Sequence, residues 1–290
     1  MDIVQRIDRA LDGALNKAAG PGAPPKLAEA MRYSVFPGGA RVRPRLCLAI
    51  AAACGDDRPA VSDAAGAAIE LLHCASLVHD DLPCFDAADL RRGKPTVHKL
   101  FSEPLAVLAG DALIVLAFET LARAASDAGE RLPLLMLAVG RAVGMPGGIA
   151  AGQAWESEEE IDLSSYHRAK TGSLFIAATT CGAVAAGRDP GPWVALGAQL
   201  GEAYQIADDI LDAVAGEEDD TGKPCGQDAA NGRPNAVNQA GLQGAIGQLE
   251  AHVRAAADSV PDCRGAEMLR ALVMNEAKRL VPKNAAVRAA

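Results

Sequence analysis

The chain predicts an all-α fold, a single large helical bundle, on three observations. Ala and Leu dominate while aromatics make up only 3% of the residues, so helix formers outnumber strand formers. Gly and Pro punctuate the chain at intervals too long for a β-sandwich and right for helices. Several stretches are apolar on nearly every face and must be wrapped by other helices, which calls for about ten rather than four. Half of the 290 residues are apolar, enough for one large core or two modest ones. No repeat or compositional linker appears, so residues 1–290 read as one domain.

The elements follow in order. A first amphipathic helix ends before the Gly20–Pro25 loop, and Pro37-Gly38-Gly39 makes the next turn. A helix starts near Ser62 or Asp63, either of which can cap it, and runs through Ile69, Leu72 and Leu77 to Asp80 as a buried central helix. Pro83 ends it, since proline disfavours a helical residue before it. Arg91–Pro95 is a basic turn. Leu105–Ala125 and Leu132–Val143 are further apolar helices, the latter closed by Gly144, Pro146 and Gly147. Helices then cover Gly148–Ser157, Leu163–Gly187 with a break near Lys170-Thr171-Gly172, and Trp193–Val214. Gly216–Pro234, rich in glycine and charge, reads as a mobile loop over a site. Gly241–Ser259 and Ala266–Leu280 close the chain.

Composition narrows the function classes. The net charge is −9 and no basic stripe appears, which argues against duplex binding. The seven cysteines form no CxxC pair and are odd in number, as in a reduced, cytoplasmic chain without a disulfide framework or zinc site. Met1–Arg6 does not begin a signal peptide. No apolar run reaches ~18 residues, so no transmembrane segment is expected.

Two acidic stretches carry the chemistry: Asp80-Asp81-Leu-Pro-Cys-Phe-Asp86 and Asp208-Asp209-Ile-Leu-Asp212. Asp208 and Asp212 are four apart and share a helix face. Clustered carboxylates repel one another, and a helix C-terminus adds its own negative end. A cation must offset this, and hard oxygen ligands suit Mg²⁺ held jointly with substrate phosphates. Cations recur near the acidic clusters and at glycine turns: Arg41 and Arg43, Arg91-Arg92-Gly-Lys94, Lys170, and Lys223 with Arg233. Arginine grips phosphate with a fork and lysine as a point charge. Together they suggest one Mg-bound diphosphate and another held by basic residues. His73, two turns before Asp80, faces the same side, while His79 points elsewhere and reads as structural. Gln205 precedes Asp208 by one turn.

In order, His73, Asp80-Asp81-xxxx-Asp86, Arg91-Arg92-Gly-Lys94-Pro95, Lys170-Thr171-Gly172, Gln205-xx-Asp208-Asp209-xx-Asp212 and Gly222-Lys223-Pro-xx-Gln-Asp228 resemble the trans-isoprenyl diphosphate synthase (polyprenyl synthetase) family. The resemblance spans about residues 30 to 240. It implies the isoprenoid synthase bundle with a deep central cavity, usually as a homodimer. It implies Mg²⁺, about three ions per active site, on Asp80, Asp81, Asp86, Asp208, Asp209 and Asp212, acting as a Lewis acid on the leaving diphosphate. Arg91, Lys170 and Lys223 would hold the allylic diphosphate and stabilise its departing charge. Arg43, His73 and Arg92 would hold isopentenyl diphosphate, with Thr171, Gln205 and Arg233 completing the substrate set. The double bond of isopentenyl diphosphate would attack the allylic cation, and released pyrophosphate would take the proton. Ala75, five residues before Asp80, stands where farnesyl-type relatives often carry an aromatic, and favours a C20 product. Phe36-Pro-Gly-Gly-Ala-Arg41 and Gly-Gln-Ala-Trp155-Glu most resemble bacterial geranylgeranyl diphosphate synthases of carotenoid pathways.

Departures from the family pattern stand out. Ala40 replaces a lysine that contacts the homoallylic diphosphate, a loss that Arg41 could compensate. Ala87 and Ala88 replace acidic residues, Arg233 replaces a lysine, and Glu217–Asp220 is unusually acidic. A farnesyl diphosphate synthase is the alternative within the family. A class I terpene cyclase would lack the second DDxxD. A non-catalytic modulatory subunit usually loses aspartates that this chain keeps.

Overall fold

The structure, a computed structural model, describes residues 2–36, 38–160, 163–214 and 235–280, and the chain is all-α. Ten helices of eleven residues or more run through the described residues: α1 (Ile3–Ala18), α2 (Pro25–Val35), α3 (Val42–Cys54), α4 (Pro59–Asp80), α6 (Glu103–Arg123), α8 (Arg131–Val143), α11 (Ser173–Ala185), α12 (Val194–Val214), α13 (Ala236–Asp258) and α14 (Ala266–Leu280). Shorter helices are α5 (Val97–Leu100), α7 (Ala125–Ala128), α9 (Ile149–Ala154) and α10 (Leu163–His167). Strand structure among the described residues is confined to a hairpin of β1 (Leu90–Arg91) and β2 (Lys94–Pro95), the basic turn of the sequence. The helices gather into two compact units. The first holds the chain up to Val139 with Cys181–Asp189, and the second holds Gly140–Thr180 and the described chain from Pro190 on.

In the first unit α4 lies against α3 and α6. Val61, Ala65, Ala68, Ile69, Leu72 and Ala75 are shut away from water. His73, Ser76, Leu77 and Asp80 keep partial access, at i, i+3, i+4 and i+7, and form an open stripe along the last turns, with His79 partly accessible beside it. The helix starts at Pro59 and not at a Ser62 or Asp63 cap. Proline lacks only an N–H that the first turn leaves spare. The Ser62 hydroxyl instead accepts from Arg6 Nη2 and donates to Asp56 Oδ2, both at 2.9 Å.

By length and mean hydropathy both α4 and α6 are apolar enough to cross a membrane, although neither holds an unbroken apolar run of ~18 residues. Isolated charges interrupt each run without lowering its mean hydropathy much. The protein covers 78% of the apolar window of α4 but only 39% of that of α6. On α6, Ala106, Ala109, Leu113, Leu116 and Leu121 face inward while Val107, Leu108 and Val115 face out, with the exposed Asp111 among them.

One arginine ties four helices together. Arg41 precedes α3 in a left-handed conformation (φ 53°) and is only 4% exposed. Its Nη1 donates to Glu70 of α4 at 2.8 Å, its Nη2 to the Val35 carbonyl ending α2 at 2.9 Å, and its Nε to Asp8 of α1 at 3.2 Å. Burial lowers the Arg41 pKa, but Glu70 and then Asp8 outweigh it and the net shift is upward.

In the second unit α12 and α13 pair through Ala203, Ile206, Ala207 and Ile210 against Ala245, Leu249 and Val253. The α13 helix begins five residues before Gly241, where the sequence suggested its start. Asn235 caps it, accepting from Asn238 N at 2.7 Å, and Gly241 (φ 70°) forms a kink inside it. The break expected at Lys170-Thr171-Gly172 is a π-helical turn over Arg168–Gly172. Gly216–Pro234, read as a loop, lies outside the described residues, as does the acidic Glu217–Asp220.

A guanidinium this well buried depends on its carboxylate. Glu70→Ala is expected to lower stability by about 3–5 kcal/mol, seen as a lower urea midpoint at unchanged m-value.

Candidate active site

The first aspartate motif begins where α4 stops, with Asp81 as its C-cap. The chain then folds back: Asp86 N donates to the Asp80 carbonyl at 3.0 Å and Ala88 N to the Asp81 carbonyl at 3.2 Å. This brings Asp80 and Asp86 to the same helix end. Asp81 turns inward, 3% exposed. There the β1 residue Arg91 grips it with a fork, Nε at 2.9 and 2.8 Å from its two oxygens and Nη2 at 2.6 Å from Oδ1. Arg91 Nη2 also lies 4.0 Å from Asp80 Oδ2. Burial pulls the Arg91 pKa down, yet Asp81, Asp80 and Asp86 reverse this and the net shift is upward. Ala88, in place of an acid, is buried, and Ala87 takes a left-handed conformation (φ 49°).

Three basic side chains lie on this unit near the open stripe of α4. His73 Nε2 and Arg43 Nη1 are 3.4 Å apart. Arg92 lies against the backbone of Gly39, where a β-carbon would come 2.6 Å from its Cζ. Arg43 and His73 are partly accessible and Arg92 is exposed. Burial first, then the nearby charges of Arg43, Arg92, Arg91 and Arg41, hold the His73 imidazole well below its ordinary pKa. It is therefore neutral near pH 7 and can donate one N–H to an anion while the arginines supply charge. Arg41 does not join this group. Its fork is committed inside the fold, so the compensation for Ala40 suggested by the sequence is not made. Ala40 itself is exposed. His79 is structural: its ring sits on Gly110 of α6, leaving no room for a β-carbon there, and Nε2 lies 3.2 Å from the Val107 carbonyl. Ala75 is buried, 1% exposed.

In the second unit the packing of α12 on α13 sorts the second motif. With Ala203, Ile206, Ala207 and Ile210 facing α13, Asp208 and Asp212 fall on the opposite side of α12, Asp208 exposed and Asp212 partly so. Asp209 lies between, 2% exposed. It accepts from Gln205 Nε2 at 2.9 Å and from Ala236 N, in the first turn of α13, at 2.8 Å. Burial raises its pKa, and those two donors oppose the rise. Gln205 Oε1 in turn accepts from Thr171 Oγ1 at 2.7 Å. Thr171, Gln205, Asp209 and the start of α13 thus form one bonded line. Gly201 of α12 lets it close, since a β-carbon there would come 2.5 Å from Gly172 Cα. Lys170, on the π-turn, donates to Glu156 Oε1 at 2.6 Å. Lys223 and Arg233 lie outside the described residues.

Sequence reasoning missed two participants. Glu156, inside Gly-Gln-Ala-Trp-Glu, entered only as family flavour, and Tyr166 was passed over. Their spacing from Lys170, fourteen and four residues, gives a signal only once the turn between them is known.

Within both motifs the middle carboxylate is tied to internal donors while the outer ones keep water contact. Asp80, Asp86, Asp208 and Asp212 offer oxygen donors, which fit Mg²⁺. Among the described residues no three His, Cys, Asp or Glu side chains are grouped to hold an ion.

Comparison with known proteins agrees. The polyprenyl synthetase family model matches residues 24–265. The chain is 56% identical over 288 residues to the geranylgeranyl diphosphate synthase of Cereibacter sphaeroides, covering 99% of this chain and 100% of that one. It is 52% identical over 281 residues to that of Rhodobacter capsulatus, covering 97% of each. The solved geranyltransferase from Helicobacter pylori complexed with magnesium and isoprenyl diphosphate superposes with a TM-score of 0.81 at 29% identity, covering 96% of each chain. By motifs, helical architecture and sequence alike, the chain belongs to the polyprenyl synthetase family.

Proposed function

We propose that the chain is a Mg²⁺-dependent trans-prenyltransferase that condenses isopentenyl diphosphate head-to-tail with dimethylallyl, geranyl or farnesyl diphosphate and releases geranylgeranyl diphosphate. The observation that carries this reading is the pairing of two DDxxD-type motifs with the Arg43, His73 and Arg92 group. One diphosphate is anchored through carboxylates and cations, and a second needs donors of its own.

Asp80, Asp86, Asp208 and Asp212 would hold Mg²⁺, about three ions per active site in this proposal. When bound, Mg²⁺ supplies Lewis-acid stabilisation of the departing diphosphate. Asp81 and Asp209 support their neighbours from within: Asp81 sets the fork of Arg91, and Asp209 anchors Gln205 and the start of α13. Arg91 and Lys170, with Lys223 and Arg233, would bind the allylic diphosphate and take up negative charge as the C–O bond breaks. Arg43, Arg92 and the neutral His73 would orient isopentenyl diphosphate so that its double bond meets the allylic carbon. Thr171 and Gln205 would line the allylic site. No side-chain nucleophile is needed in this reading, because released pyrophosphate accepts the proton.

Residues 1–290 would act as one domain, and the family match runs through both compact units. A homodimer covers the exposed Val107, Leu108 and Val115 of α6 in the same proposal. The cytoplasm is the proposed compartment, supported by the free thiols among the described residues. Carotenoid biosynthesis is the proposed context, on the resemblance carried by Phe36-Pro-Gly-Gly-Ala-Arg41 and Gly-Gln-Ala-Trp155-Glu. The C20 product is preferred to C15 because Ala75 is small where farnesyl-type relatives often carry an aromatic. A farnesyl diphosphate synthase is the competing outcome.

Purified protein with Mg²⁺, labelled isopentenyl diphosphate and each allylic primer tests the reading. Elongated diphosphates ending at C20 support it; released hydrocarbons would identify a cyclase, and inert substrates a modulatory subunit. Ala75→Tyr is expected to shift the main product from C20 to C15 on thin-layer chromatography, and an unchanged ladder refutes the assignment of chain length to Ala75. Ala40→Lys is expected to lower KM for isopentenyl diphosphate several-fold, roughly 1 kcal/mol for a partly exposed charge contact, with KM for the primer unchanged.

A further inference from the structure

We propose that Glu156 is a positioning residue that presets the Lys170 ammonium for the allylic diphosphate. The inference rests on the prenyltransferase reading above and assigns a role to a side chain outside both aspartate motifs.

Glu156 gathers three donors. Its Oε1 accepts from Lys170 Nζ at 2.6 Å and from Tyr166 Oη at 2.7 Å. Its Oε2 accepts from Gln153 Nε2 at 3.0 Å. The hydroxyl and the amide hold the carboxylate still, so it serves as a fixed acceptor for the lysine. The Tyr166 ring adds a second restraint, with Lys170 Nζ 5.6 Å from its centroid, within cation–π range.

The other end of Lys170 is equally constrained. Its backbone lies in the π-turn Arg168–Gly172, a distortion that recurs at functional sites. Gly152 of α9 sits directly against that turn, and a β-carbon there would come 2.6 Å from Lys170 Cα. Thr171, next in the chain, is bonded to Gln205. A lysine side chain normally samples many rotamers and loses that freedom when it grips a ligand. Here both ends are fixed before any ligand arrives. The ammonium carries three protons, and Glu156 fixes the direction of one of them.

An ion pair at 20–21% side-chain exposure could instead be a surface pair of little consequence. The two readings part in a double-mutant cycle. The full chain is compared as wild type, Glu156→Gln, Lys170→Met and the double variant, with KM for primer and for isopentenyl diphosphate measured separately. Thermal unfolding confirms that each variant is folded.

We expect Glu156→Gln to raise KM for the primer about 5–10-fold while KM for isopentenyl diphosphate moves less than about twofold. In the Lys170→Met background the same change should have no further effect. Glu156→Asp, which keeps the charge on a shorter arm, should fall between wild type and Glu156→Gln, and it carries the test if Glu156→Gln does not fold. Losses that multiply in the double variant overturn the proposal, as do equal shifts in both KM values. If the wild type elongates no primer, the prenyltransferase reading fails. If it is active and the cycle is additive, only the role of Glu156 fails.

Discussion

A carboxylate shut away from water must keep its hydrogen bonds or lose its charge, and this condition organises both aspartate motifs. Adjacent acids on a helix cannot all face one cation-binding site, because their directions differ and their charges repel. In each motif one acid turns inward and takes donors from the protein: the fork of Arg91 for Asp81, and Gln205 with the Ala236 N–H for Asp209. The outer acids then stay at the water-accessible surface. The inner acids do structural work through their partners. Asp81 holds the hairpin that carries Arg91 and Arg92, and Asp209 holds the line from the π-turn to α13.

The scarcity of large side chains serves the same end. Gly39, Gly152 and Gly201 admit, in turn, a guanidinium, a backbone turn and a neighbouring glycine at distances that a β-carbon would forbid. Helices can then approach closely enough for short polar side chains such as Thr171 and Gln205 to meet. Contacts of this kind fix positions by geometry, and the apolar faces around them supply the burial energy. The α6 helix shows the limit of that economy. Its inward face is filled, while Val107, Leu108 and Val115 remain outside.

The helices and the aspartate motifs were legible in the sequence because their signals are local. The α4 terminus at Asp80 follows from Pro83, and α14 spans the residues that its pattern suggested. Element starts were less legible. The Ser62 hydroxyl has the chemistry of a cap, but Arg6 and Asp56, far away in sequence, claim it. Gly241 reads as a boundary, yet the Asn235 cap starts α13 earlier and the glycine becomes a kink. The role of Glu156 was illegible because Lys170 reaches it only through a π-turn, and periodicity assumes an α-helix.

Arg41 and Arg43 show why counting cations near a motif misleads. They are two residues apart, both basic, and both follow the Gly38-Gly39 turn, so the sequence treats them alike. The backbone separates them. Arg41 sits before the first turn of α3 with φ at 53°, which sends its side chain into the space between α1, α2 and α4. Arg43, one step into the helix, lies beside His73. Glu70 then consumes the charge of Arg41, and what remains near the open stripe of α4 is Arg43, Arg92 and a neutral histidine. An exposed Ala40 next to this group leaves the site one cation poorer than its pattern suggests. In the proposed reading, affinity for the second diphosphate would therefore rest on two guanidinium groups, each reaching its place through a distinct backbone route.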